Sequence, residues 1–129
     1  MLWRGESCEH YTWPAYGEER LGGFRKRDSG HRKSVINELY TENCTFFEAD
    51  DQIVGRDALN AKVEQILKEA PGFAFRLAGP AEVNHDVGRV RWHFGPNGAV
   101  PVVAGMDVAV FKEERICSLY AFLDKAPGN

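Results

Sequence analysis

The sequence predicts an α+β domain in which helices pack on one face of a curved antiparallel sheet. Two observations carry this. Helical periodicity is confined to residues 29–70, where apolar side chains recur three and four positions apart. From Phe73 onward only strand-like alternation remains, cut by Pro-Gly and Gly-containing turn signals. Helices followed by a run of strands is the pattern of segregated α+β architecture rather than of a parallel α/β sheet.

The elements follow in order. The first thirty residues contain Pro14 and five glycines, which oppose a long regular helix. They are expected to form an irregular segment, 1–30, that packs on or caps a domain spanning 31–129. A helix beginning near Ser29 or His31 would carry Val35, Ile36, Leu39 and Tyr40 on one stripe. "TFFEA" predicts a short strand with Phe46 and Glu48 on one face and Thr45 and Phe47 on the other. Gly55 breaks the chain before "RDALNAKVEQILKEA", where Leu59, Val63, Ile66 and Leu67 fall at helical spacing and Pro71-Gly72 ends the element. "FAFRLAGPAEV", "GRVRWHF", "PVVAGMDVAVF" and "ICSLYAFLD" are the following strands, separated by turns such as "PNG" and "EER".

Composition narrows the function. The 129 residues suit one domain, and a net charge of -3 gives no general attraction to nucleic acid or anionic membrane. No apolar run is long enough to span a bilayer. Cys8, Cys44 and Cys117 are odd in number and form no CxxC pair, so they predict reduced thiols in a cytoplasmic protein. His10, His31, His85 and His93 show no metal-ligand spacing, so neither a metal nor a cofactor is expected. The basic cluster "RKRDSGHRK" reads as a solvated helix entry.

The chemistry-bearing feature is a single acid in the most apolar strand. Alternation puts Val103, Gly105, Asp107, Ala109 and Phe111 on one face of "PVVAGMDVAVF". The other face, Val102 to Val110, is a continuous aliphatic surface. Gly105 and Ala109 leave space around Asp107, as a pocket floor would, and an apolar surround can keep such an acid protonated as a hydrogen-bond donor. The competing possibility is a buried structural acid bonded to a backbone amide or paired with an arginine. Glu48 is the second candidate, a general base beside a carbonyl or else a strand-end acid in solvent or paired with Arg56. Trp92 shares its face with Val90 and Phe94 and would line or fill a pocket. Tyr40 is either a donor into it or core with its hydroxyl at the rim. His93, beside Arg89 and Arg91, reads as surface or interface.

From about His31 to Leu123 the order of pieces "VINELYTENCTFFEA", "VGRDALNAKV", "APGFAFRLAGPAEVNHDVGRVRWHF" and "VVAGMDVAVFKEERICSLYAFLD" resembles the nuclear-transport-factor-2-like superfamily in its SnoaL-like branch. The resemblance implies a cone of bent antiparallel strands closed by helices around a cavity for a small apolar molecule, and homodimers built through the sheet. It implies that Tyr120 and Phe122 meet a partner subunit while Leu119, Ala121 and Leu123 line the cavity. Steroid isomerases of that superfamily carry a carboxylate base and a protonated aspartic acid, and these positions fall on Glu48 and Asp107. The base is aspartate in those isomerases and glutamate here, and Phe24 stands where an ungapped count places their oxyanion-donating tyrosine. The expected function is cofactor-free proton transfer on an apolar carbonyl compound, as in isomerases and cyclases. Glu48 and Asp107 would be catalytic, and Trp92, Phe46, Tyr40, Phe73 and Leu119 would contact the ligand. The alternative is a non-catalytic ligand-binding or dimerisation module of the same fold.

Overall fold

The computed structural model describes residues 28–124. The expected irregular segment 1–30 lies, save for its last three residues, outside the described residues. Asp28 caps the first of the described helices, α1 (Ser29–Leu39): its Oδ1 accepts a hydrogen bond from the His31 backbone N–H at 3.1 Å. Such a cap satisfies one of the donors that every helix leaves unpaired in its first turn. Val35, Ile36 and Leu39 form the buried stripe, and Arg32, one turn earlier, is buried with them. A charge there needs partners. The Arg32 guanidinium donates to Asn60 Oδ1 at 2.6 Å and pairs with Glu64, both on the second helix, α2 (Arg56–Glu69).

Gly55, at φ 102, makes the sharp entry into α2, where Asp57 complements the positive end of the helix dipole. Leu59, Val63 and Leu67, four residues apart, face the core.

Among the described residues seven strands form one sheet: β1 (Tyr40–Glu48), β2 (Asp51–Val54), β3 (Phe73–Leu77), β4 (Glu82–Asn84), β5 (Val87–Pro96), β6 (Val103–Lys112) and β7 (Arg115–Leu123). Their spatial order is β2-β1-β7-β6-β5-β3, with β4 also paired to β5. The expected antiparallel sheet needs one correction: β1 and β7 are parallel, so the sheet is mixed. It is also open, with β2 and β3 at its ends, rather than closed. A parallel neighbour is possible because the whole domain separates β1 from β7 in sequence, leaving ample chain for the crossover.

The short strand expected at "TFFEA" starts earlier, at Tyr40, which follows directly from α1 with extended φ and ψ. Between Tyr40 and Thr45 the β1–β7 register shifts, since Tyr40 opposes Ile116 while Thr45 opposes Ser118. Over this span β1 therefore carries three more residues than β7, a bulge within 41–44. "FAFRLAGPAEV" divides into β3 and β4, broken at Gly79-Pro80.

The alternation within β5 and β6 matches burial. Val90, Trp92 and Phe94 are buried on β5, and Gly105, Asp107, Ala109 and Phe111 on β6, all on the face that meets the helices. The opposite face, expected as a packing surface, is half-open, with Ala104, Met106, Val108 and Val110 only partly covered and Val102 exposed.

Candidate active site

The site is built where α2 lies against the inner face of the sheet. Trp92 stands directly opposite Gly105 in the β5–β6 ladder. A Cβ at Gly105 would meet Trp92 Cζ2 at 2.6 Å and the Phe122 carbonyl oxygen at 2.5 Å, so the indole occupies the space that a side chain there would take. Lying across the strand, the ring reaches the next inward residue: Nε1 donates to Asp107 Oδ1 at 2.8 Å. Asp107 is 1% exposed and Trp92 4%. The small residue beside Asp107 is thus what lets a tryptophan satisfy a buried acid.

Trp92 in turn anchors an aromatic layer. Phe75 meets it edge-on, with ring centroids 5.4 Å apart, and stacks on Phe94 at 4.1 Å. Phe73 also meets Phe94 edge-on, at 5.2 Å.

Between this layer and α2 is a pocket of about 190 Å³. Its sheet side is formed by Phe46, Phe75, Trp92, Phe94, Val103 and Ala121. Val63 and Ile66 face them from α2, and Leu123 also lines it. Two charged groups break the apolar wall, Glu48 at the end of β1 and Lys62 on α2. Lys62 Nζ lies 3.2 Å from Glu48 Oε1 and 3.7 Å from Asp51 Oδ2. The two side chains are 31% and 26% exposed, so the pair sits at the mouth rather than in the depth.

The predicted site residues divide accordingly. Glu48, Phe46 and Trp92 come together on the pocket wall. Ala121 and Leu123, expected from β7, are there as well, while Leu119 is buried in the packed core. Tyr40 is core, 1% exposed at the start of β1. Phe73 touches Phe94 but is not among the residues that line the pocket. Asp107 is held behind Trp92, which stands on the wall in its place. The pairing of Glu48 with Arg56 is corrected: Arg56 instead donates to the Tyr40 carbonyl at 2.8 and 3.0 Å, tying α2 to the start of β1. Lys62 was not anticipated. Its signal was the flank of the Leu59–Val63–Ile66 stripe, where a lysine extends along apolar surface and delivers its charge to the edge.

The Cys44 thiol offers no nucleophile here. Burial pushes the Cys44 thiol above its ordinary range, against a weaker opposing influence of Arg56, which favours the protonated, unreactive form. Among the described residues no group of three His, Cys, Asp or Glu is placed to hold a metal ion, and no helix is long and apolar enough to cross a membrane. A larger concavity near the β6–β7 turn is lined mainly by charged side chains, among them Glu38, Arg56, Lys112 and Arg115, without an apolar body.

The family model for the SnoaL-like domain matches residues 24–119. The chain belongs to the SnoaL-like family. Among solved structures it is similar to a proposed isomerase of that family from Agrobacterium tumefaciens, at 24% identity and a TM-score of 0.77, covering 86% of this chain and 96% of that one. An NTF2-like protein of unknown function from Exiguobacterium is 22% identical, with a TM-score of 0.64 over 84% and 98% of the two chains. A proposed SnoaL-like polyketide cyclase from Jannaschia is 14% identical, with a TM-score of 0.62 over 82% and 85%. At these identities the likeness is one of fold. No curated protein matches the sequence significantly.

Proposed function

We propose that this SnoaL-like protein binds a small apolar carbonyl compound between α2 and the sheet, and that Glu48 moves a proton there without a cofactor. One observation carries this: Glu48 is the carboxylate on the wall of an otherwise apolar pocket, with Lys62 beside it. Glu48 would take a proton from the carbon next to the carbonyl. The C–H electron pair becomes the carbon–carbon double bond of an enolate, and the negative charge passes to the carbonyl oxygen. Returning the proton at another carbon completes an isomerisation. The Lys62 ammonium, 3.2 Å from Glu48, is within reach of the developing oxyanion and would stabilise it. Asp107 acts through Trp92, as a positioning residue that fixes the aromatic wall.

The test is solvent deuterium exchange into the α-protons of acetophenone, followed by NMR. The wild type should accelerate exchange, and Glu48→Gln should lose about 10²-fold or more of that acceleration. Equal rates in the two proteins would remove Glu48 from the role.

A second reading, a non-catalytic dimerisation module, draws on the outer sheet face. Phe122 is 57% exposed there, and Tyr120, stacked on Phe47, is 37% exposed. We propose that this face pairs with a second copy, which is compatible with either function, and that the protein is cytoplasmic, its thiols reduced. Light scattering of Phe122→Glu against wild type tests the pairing, and equal masses would contradict it.

A further inference from the structure

We infer that the site takes an uncharged, single-ring carbonyl compound and excludes both fused four-ring skeletons and carboxylate anions. This rests on the proposed small-molecule function and narrows it. The first ground is volume. An apolar cavity of ~150 Å³ accommodates one benzene molecule, so in proportion a pocket of about 190 Å³ takes a ligand of about eight heavy atoms. A four-ring skeleton has about twice that number. The walls that would have to yield are aromatic groups fixed by one another. Phe75 is stacked on Phe94, and Trp92 is held between Gly105 and Asp107. Close-packed layers of this kind do not expand cheaply.

The second ground is charge. At the mouth one ammonium, Lys62, lies between two carboxylates, Glu48 and Asp51, so the cluster carries a net charge of -1. A carboxylate ligand would bring a third negative charge to one cation and lose its hydration against Phe46 and Trp92. A neutral carbonyl avoids that cost. An ammonium has three N–H donors, so a carbonyl oxygen can share Lys62 while both carboxylates stay in place. The ring would then lie among Val63, Ile66, Phe75 and Trp92, with its α-carbon toward Glu48.

The experiment titrates isotope-labelled full-length protein with acetophenone, benzoate and a four-ring steroid diketone, following the Trp92 indole N–H resonance, assigned by Trp92→Phe. Acetophenone should move it, benzoate should bind about tenfold more weakly or worse, and the diketone should leave it in place. Benzoate or the diketone binding as tightly as acetophenone would overturn the size and charge rule while leaving the small-molecule function intact. Failure of all three probes would bring down both. Ala121→Phe, which fills the pocket, should weaken acetophenone by about tenfold or more, and unchanged affinity would place the ligand elsewhere. The ring-size series in the wild type decides the rule whether or not that variant folds.

Discussion

Trp92 and Asp107, fifteen residues apart in sequence and on adjacent strands, form a single buried unit in which the indole N–H donates to the carboxyl at 2.8 Å. The bond joins the pocket wall to the interior behind it. Asp107→Leu would leave the indole N–H without that acceptor, at a cost of about 1–3 kcal/mol in urea unfolding. Asp107→Asn keeps an acceptor oxygen and should lose less. Equal stability of the leucine variant and the wild type would show that the bond contributes nothing.

Gly105 is the condition for that unit. Gly105→Ala places a methyl group against both the Trp92 ring and the Phe122 carbonyl, and backbone cannot swing aside as a flexible side chain can. A loss of about 1–3 kcal/mol is expected, with a change in the near-UV dichroism of the displaced indole. An unchanged spectrum would mean that the ring does not lie over this glycine.

The β6–β7 hairpin stores strain that can be released. Lys112 pairs with Arg115 across a two-residue turn, and both turn residues, Glu113 at φ 51 and Glu114 at φ 71, occupy the left-handed region. Primed turns of this kind favour Asn-Gly because a Cβ is penalised there. Glu114→Gly should stabilise the protein by about 0.5–1 kcal/mol, the relief of strain exceeding the entropy cost of glycine. A fall in melting temperature would contradict this.

The α1 cap predicts a pH dependence. The His31 N–H bound to its side chain holds Asp28 below the usual carboxylate range. A group whose pKa is lower in the folded state stabilises above its unfolded value, and that contribution is lost as pH falls through the folded value. Wild type should therefore lose stability relative to Asp28→Asn on acidification below the ordinary aspartate value of 3.8. Parallel stability curves for the two proteins would exclude the cap's contribution.

These positions also mark how far the sequence can be read. Strict alternation in β5 and β6 identified the shared inner face of Trp92, Gly105 and Asp107, because burial on one side of a sheet imposes a period of two. It did not show that the indole would lie across the glycine, a matter of register between strands. β2 was missed because four mostly exposed residues, Asp51 to Val54, carry no alternation to detect. The parallel β1–β7 pairing was also missed, since it joins distant segments and local pattern carries no trace of it. Glu48 was legible as a candidate by its face on β1. Its partner was not, because Lys62 belongs to α2 and meets Glu48 only through the packing of that helix on the sheet.

The most direct measurement is anomalous diffraction from crystals of the protein grown with 4-bromoacetophenone. The bromine should lie between Trp92, Phe75 and Ile66, with the carbonyl oxygen directed at the Glu48–Lys62 pair. Bromine confined to the outer sheet face, or a pocket closed by side chains with no bromine in it, would contradict ligand binding and proton transfer at this site.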